Sequence, residues 1–509
     1  MFEENMHFIQ GTSRDQIFLY NECLDSVIGE DNSVRLIDAY VEKLDMGKLE
    51  FRIPELKTGK PPYRPHVLLK IYIYGYLEKI RSSRNLEKEC LRNKELIWLT
   101  ENLAPDFKTI ADFRKDNKKG TKNVFKEFLF FCKTAGLLSL SKVGIDGTKL
   151  RAQNGLNNVF KRDTIDSIEK KIEEKIAEYL AILEVNDQNE TEDLKLESGE
   201  ETRKVVEKLK KLSKYQDKVE DIKKLFAEDP ELKMYFAGDK DSRFQSDKGK
   251  VRPGFNAQIA VDDKNKLIIS SDVTNKSNDM EQMTPMIEQI QEVKKELEID
   301  TQTDAVLDAG YHSEKEILNN KDKKGITIVV SDRKEAEIKN REHFNTANPD
   351  KVPAEGYEAK DFIYDKERDI CICPEGKELY KTHLNPVEEA SGRKVFEFQC
   401  NDCADCEKHN KCTKNKRGRA TKISANREIM ENFRKEMQTE EKKQILSSRK
   451  EIVEHPFGTM KRTLGYTYFM QKGFNNVKAE FSFICFVYNF KRVLNILSLN
   501  EFNIALNSL

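Results

Sequence analysis

Two apolar triplets, Val143–Ile145 and Ala305–Leu307, each run into an aspartate with a glycine close behind, in VGIDGTKL and AVLDAGYHS. Runs this short and this apolar read as buried strands, and an acid where the run stops reads as a carboxylate delivered at a strand's carboxyl end. Gly310, just past Asp308, lets the backbone turn tightly or come close to a substrate. A third acid, Glu454 in RKEIVEHPFGTMKR, stands in a helix-like segment. Lys461 follows it two turns along, so carboxylate and ammonium share a face. With 89 Asp plus Glu in the chain, most acids are solvated surface, and setting alone singles out Asp146, Asp308 and Glu454. Glu451, one turn from Glu454, is a rival for the third place.

The segments between these acids give an order of elements. GFNAQIAVD and KLIISSDVTN alternate and are joined by the polar DDKNK, which predicts a hairpin. A helix is predicted from about Asp279 to Leu297, with Met280, Met283, Met286, Ile287 and Ile290 on one stripe. The Asp308 strand, a short helix near Ser313 to Leu318 and the strand ITIVVSD come next. Periodicity by itself predicts mixed α and β.

These motifs resemble a bacterial insertion-sequence transposase of the DDE class, most like the IS1182 group of the IS4-like superfamily. The resemblance runs through YRPHVLLKIYIYGYLEKIRSSRNLEKECLRNKELIWL and APDFKTIADFRKDN, then IDGTKL, GFNAQIAVD, LDAGYHS and IVEHPFGTMKR. The IS4-like signature spaces a Tyr, an Arg, a Glu and a Lys. Glu454 and Lys461 fill its second half, whereas Lys450, beside Arg449, stands at the Arg position and Ser447 at the Tyr position. The resemblance implies an α/β catalytic core of RNase H-like type, a mixed five-stranded sheet flanked by helices with Asp146 on the first strand and Asp308 on the fourth. It also implies cut-and-paste transposition. Double-stranded DNA, as terminal inverted repeats and target, would be the partner, with a homodimer forming on paired ends.

The chemistry of such a site comes from charge. Three clustered carboxylates repel one another, and an all-oxygen set of Asp146, Asp308 and Glu454 suits two Mg²⁺ (or Mn²⁺) ions that activate a water and stabilise a leaving 3′-oxygen. Lys461 is a candidate phosphate contact, and Tyr311 and His312 are candidates for touching DNA near the cut, by stacking on a displaced base or by packing the strand end. Two other functions are weighed beside transposition: a catalytically silent DNA-binding regulator, and a nuclease of the same fold that hydrolyses without joining.

At 509 residues the chain has room for two to four domains, and 38% hydrophobic content is enough for real cores although 35% is charged. No apolar run reaches membrane-spanning length and MFEENMHFIQG lacks signal-peptide character, so a soluble, cytoplasmic protein is expected. A net charge of −1 leaves DNA binding to local distribution. The expected domains are a helical DNA-binding region over 1–135, the first part of the core over 140–332, an insertion over 333–425 and a helical completion of the core over 426–509.

Within the first region, helices are predicted at His66 to Lys79 after the turn KPPYRP, at Asn85 to Leu99 and at Thr109 to Asp116. Arg81, Arg84, Arg114 and Lys115 are its candidate phosphate contacts. Residues 156–235 carry Ile165, Ile168, Ile172, Ile176 and Leu183, then Val205, Leu209, Leu212, Val219 and Ile222, at threes, fours and sevens on either side of an acidic gap. That pattern predicts a helical hairpin inserted between the first two sheet strands.

Six cysteines crowd one stretch: Cys371 and Cys373 in CICP, then Cys400, Cys403, Cys406 and Cys412 in CNDCADCEKHNKC. Such spacing predicts a zinc knuckle, with Cys403, Cys406 and Cys412 at its centre, Cys373 or Cys400 completing it and Cys371 or His409 as substitutes. The scattered Cys23, Cys90, Cys132 and Cys485 read as packing residues. The basic run KCTKNKRGRATK comes directly after, offering Lys414, Lys416, Arg417 and Arg419 to a DNA backbone, as do Arg449 and Lys450 further on.

Overall fold

Pro65 opens a helix at its first position, where a missing N–H costs nothing, and the helix it opens is buried along its length from Leu68 to Leu77. The computed structural model describes residues 24–53, 62–188, 195–332, 357, 361–389, 392–403, 405–413, 415 and 418–508. The chain divides into two compact units, 1–120 with 493–509, and 121–492.

The first unit is helical: α1 (Val34–Lys43), α2 (Pro65–Leu77), α3 (Ser83–Arg92), α4 (Lys94–Leu99) and α5 (Phe107–Asp116). The single helix expected over Asn85 to Leu99 is two. Asn93 stops the first in extended backbone and caps the second, accepting from the Glu95 and Leu96 N–H groups. Lys70 of the buried α2 is neutralised by Asp38 at 2.5 Å and Glu42 at 2.7 Å. Arg81 is buried over the Tyr76 ring and Arg114 lies over Tyr72, so these two guanidinia pack the unit instead of facing a phosphate. The last helix of the chain, Leu499–Asn507, packs on α1 within this same unit.

The boundary falls at Gly120 rather than near 135 because α6 (Lys118–Thr134) belongs for most of its length with the second unit. Its Phe128 meets Phe486 edge-on at 5.3 Å and Phe490 at 5.4 Å, and Lys126 pairs with Glu292 and Glu296. The second unit is built on β1 (Lys142–Arg151), with the ribbon β2 (Val159–Lys161) and β3 (Met234–Phe236), then β4 (Arg243–Asp247), β5 (Lys250–Asp262), β6 (Ile268–Thr274), β7 (Thr303–Leu307) and β8 (Ile326–Val330). Strand β5 pairs antiparallel with β1, and β6 and β4 pair with successive parts of β5. On the other side β7 runs parallel to β1 and β8 parallel to β7. Between β2 and β3 rises the expected hairpin, α7 (Ile165–Gln188) and α8 (Lys195–Glu228), while α9 (Met283–Glu296) and α10 (Glu314–Asn320) connect β6, β7 and β8. This mixed sheet is compatible with an RNase H-like core.

The seam of the hairpin is its own: Phe160, Ile165, Ile172, Val219, Ile222 and Phe226 form one buried cluster. Arg162 at its base gives its guanidinium to the carbonyls of Phe226, Asp229 and Leu232, where the last turn of α8 runs out of backbone donors.

The cysteine-bearing insertion is a second sheet, larger than a knuckle: β9 (Ile363–Asp365), β10 (Ile370–Ile372), β11 (Glu378–Lys381), β12 (Val387–Glu388), β13 (Lys394–Cys400) and β14 (Ala420–Ser424), antiparallel throughout. Glu314 of α10 ties it to the core by accepting from Ser424 and Asn426. Two helices then return the chain to the first sheet, Arg427–Met437 and Glu440–Gly458, the latter lying across β1, β7 and β8. Asp239 and Asp241, in the stretch GDKDSRF before β4, accept from the Gly473 and Phe474 N–H groups and so hold the start of the Phe474–Leu494 helix.

Candidate active site

Gly144 decides how closely a helix can approach the sheet centre. A Cβ there would stand 2.7 Å from Val453 Cγ1 and 2.9 Å from Ile452 Cγ2, so only glycine lets the Glu440–Gly458 helix seat these two residues on β1. Strand side chains alternate, so Asp146 faces the same helix as Gly144. There Arg449 Nη1 stands 3.2 Å from Asp146 Oδ2.

Asp146 does not end its strand: β1 runs on to Arg151 because β5 is long enough to pair with all of it. The parallel partner stops earlier, at the pair Gly144↔Val306, and Asp146 stands where two-sided pairing ends. Asp308 lies one residue past β7 and caps the short turn Ala309–Tyr311, its Oδ1 accepting from Gly310 N at 2.8 Å. The carboxyl of Asp146 is pushed up to about 6, first by burial and then by the charges of Asp308 and Asp279, against the opposing pull of Arg449.

Asp279 is the acid that sequence reasoning missed as a site residue, because MEQMTPMIEQI marked its neighbourhood as the start of an amphipathic helix. The helix begins later, at Met283, and Asp279 sits in the turn before it. Its Oδ1 accepts from Asn256 Nδ2 at 2.6 Å and Gln258 Nε2 at 2.7 Å, with Lys149 Nζ at 3.6 Å. The signal available in the sequence was Asn256 and Gln258, two amides alternating on one face of the buried strand GFNAQIAVD.

The remaining candidates separate. Glu454 is exposed on the helix and, among the described residues, has no ion pair; Glu451 faces the β5–β6 turn, 3.9 Å from Lys266. Among the described residues no three His, Cys, Asp or Glu side chains are gathered closely enough to hold a metal ion. Tyr311 is fully buried with its hydroxyl donating to Gln258 Oε1, so it packs the strand end and has no face for a base. His312 is half-buried and Lys450 exposed. Arg449 points inward to Asp146 instead of outward to DNA, and Arg419 is held by the carbonyls of Cys412 and Tyr357 over the Phe362 ring. Arg417, with Lys414 and Lys416, lies outside the described residues.

Lys461 turns toward β1 and donates to the Lys149 carbonyl at 3.2 Å. With Lys149, Arg151, Lys250, Arg252 and one acid, Asp247, it lines an open groove at the far end of β1, a mostly cationic lining dispersed along the sequence from position 149 to position 461. In the second sheet, Cys373, Cys400, Cys403, Cys406, Cys412 and His409 line one small cavity, while Cys371 lies in the apolar core with Phe362 and Leu379. Burial first, and then neighbouring Cys403, push the Cys400 thiol up to about 12.

No helix among the described residues is long and apolar enough to cross a membrane. Residues 372–494 match the family model of the transposase DDE domain, a span that takes in Glu454, Lys461 and all of the clustered cysteines except Cys371. Residues 22–116 match a transposase domain (DUF772) that covers helices α1–α5. No curated protein and no solved structure matches the chain. One transposase domain over its first helices and a second, of the DDE type, spanning the Glu454 helix indicate DNA transposase function, consistent with the IS4-like and IS1182-like character of its motifs.

Proposed function

We propose that the chain cuts DNA at element ends and joins the freed 3′-hydroxyl to target DNA, using Asp146, Asp308 and Glu454 on a core of RNase H-like type. The observation that carries this reading is the convergence of Asp146 and Asp308 at the sheet centre, beneath the one helix that also bears Glu454. The donors suit a hard divalent cation such as Mg²⁺ or Mn²⁺: they are all oxygen, and the Asp146 carboxyl is held up by burial and by Asp308, a penalty that a cation would relieve. When bound, the cation polarises the phosphodiester and lowers the charge of the departing oxygen. Arg449 holds the Asp146 carboxylate from the helix side, and Glu454, exposed on the same helix, is the third acid this reading assigns to the cation. Lys461, Lys149, Arg151, Lys250 and Arg252 take the phosphates of the strand lying in the groove, and Lys450 and His312 are further candidate DNA contacts.

We further assign one structural Zn²⁺ to the cavity of Cys373, Cys400, Cys403, Cys406 and Cys412, and a homodimer on paired ends to the assembled form. The central test uses DNA carrying the element's terminal repeats with Mg²⁺. Asp146→Asn, Asp308→Asn and Glu454→Gln are expected to lower cleavage by at least a thousandfold, with end binding in a gel-shift assay retained. Cleavage by the aspartate variants at the native rate would sink the reading.

A further inference from the structure

We infer that Lys149 holds a non-bridging oxygen of the phosphodiester to be cut, while Arg151, Lys250, Arg252 and Lys461 hold the phosphates that flank it. The inference rests on the proposed DNA-cutting function and sharpens it: that reading gives five cations one task, and here one of them is set apart as the contact with the reacting group.

Lys149 belongs both to the cationic groove and to the surroundings of the aspartates. It lines the groove with the other four cations, and its Nζ lies 3.6 Å from Asp279 Oδ1. Asp279 leads on to Asp308, since its Oδ2 and Asp308 Oδ1 stand 3.7 Å and 2.9 Å from the point where a Cβ on Gly310 would be. Burial pulls the Lys149 ammonium below its ordinary value, and the charges of Asp279, Asp146 and Asp308 act against that pull, so all three acids are within its electrostatic reach. The rest of the lining is placed differently. Arg151, Lys250 and Arg252 are exposed, and the half-buried Lys461 donates to the Lys149 carbonyl.

What Lys149 lacks is an acceptor. Its Nζ is out of contact with solvent and, among the described residues, has no hydrogen-bond partner. Asp279 does not serve as one: 3.6 Å is beyond hydrogen-bond reach, and Oδ1 already accepts from Asn256 Nδ2 at 2.6 Å and Gln258 Nε2 at 2.7 Å. Those two amides are positioning residues, which keep the carboxylate from closing on the ammonium. Asn256 is the cross-strand neighbour of Lys149 and its Oδ1 is likewise without a partner, yet an ammonium carries three N–H groups and one amide oxygen would meet only one of them. A lysine kept only for structure would be hydrogen-bonded to the acid it faces. A phosphodiester brings what is missing, oxygens that accept charge-assisted hydrogen bonds and one negative charge to balance the ammonium. It is also the anion for which the remaining lining, four cations against the single acid Asp247, is suited. A strand laid along the groove therefore meets the aspartates at Lys149.

The test is a coupling measurement on the full-length chain without divalent ions. Binding of end DNA is followed by fluorescence anisotropy, with the phosphate at the boundary of the terminal repeat either native or replaced by an uncharged methylphosphonate. Lys149→Met is expected to weaken binding of the native DNA about tenfold and to weaken binding of the boundary-neutral DNA hardly at all, because the lost partner is the same. Lys250→Met should lose the same factor on both DNAs. Lys149→Gln, neutral and still polar, gives the same comparison should the Met variant lose its far-ultraviolet circular dichroism spectrum. A folded Lys149 variant that loses equal affinity for both DNAs, or none for either, overturns the inference, since the residue then holds another phosphate or serves structure only. If the wild-type chain cuts end DNA with Mg²⁺ and this coupling is absent, the inference alone falls. Coupling in a chain that never cuts supports the contact and overturns the cutting reading, and a wild-type chain that does not bind end DNA overturns both.

Discussion

Asp146 is where the cost of the site is concentrated. Its carboxyl is shifted from 3.8 to about 6, so between those values the folded chain binds a proton that the unfolded chain has released. Stability of the metal-free protein therefore falls as pH rises from about 4 to about 6, and above that range the ionised form costs about 3 kcal/mol. Asp146→Asn should raise the metal-free melting temperature at pH 7 to 8, with the gain vanishing below pH 4; a melt series across pH, with and without Mn²⁺, checks both. Gly144→Ala should act oppositely. Its methyl would be driven into Val453 and Ile452, and we expect about 1–3 kcal/mol of destabilisation in urea melts, with cleavage abolished through displacement of the Arg449 and Glu454 helix. Asp146 and Asp308 were legible in the sequence because an acid ending an apolar run is a local pattern. Asp279 was not, since it lies in the turn after β6 while its partners Asn256 and Gln258 sit on β5, and only the pairing of β5 with β6 on one side and β1 on the other brings them together beside Asp146. Tyr311 was ambiguous for the opposite reason: its sequence neighbourhood is that of Asp308, and its burial is set by Gln258, far away in the chain.

At the scale of elements, the helical hairpin was the easiest to read, because a seam at threes, fours and sevens needs no outside partner. Its buried cluster draws only on residues of the insertion and its base. Excising residues 163–232 and closing β2 to β3 with a short turn should therefore leave the remaining unit folded, with the circular dichroism signal reduced in proportion to the helix removed and a cooperative melt retained. The cysteine-bearing sheet was legible only as a cluster of thiols. Its strands are short and polar on one face, and the apolar side that defines them, Phe362, Leu379, Phe398 and Ile423, is spread thinly through charged sequence. We expect one zinc per chain by elemental analysis, and its removal by a strong chelator should melt this module first. Cys403→Ser and Cys412→Ser should lose the metal while Cys371→Ser, in the apolar core, keeps it.

Across the whole molecule, 88 basic and 89 acidic residues nearly cancel, and DNA affinity must come from where the cations stand. The groove of Lys149, Arg151, Lys250, Arg252 and Lys461 is such a place. Charge reversal of Lys250 and Arg252 together should weaken end binding and flatten the dependence of log Kd on log salt, by about one unit for each phosphate no longer neutralised, as measured by fluorescence anisotropy. The first helical unit has a different property: it draws on segments from both sides of the second unit, since Phe502, Ala505 and Leu506 are buried in the helix that packs on α1. Domains emerging from a ribosome fold in order of synthesis. Here the earliest helices must wait, incomplete, until the Leu499–Asn507 helix has left the exit tunnel. A message truncated just before that helix would still yield the sheet with both aspartates but would leave the first unit unfinished, so whatever step that unit performs is withheld until the whole core has been made.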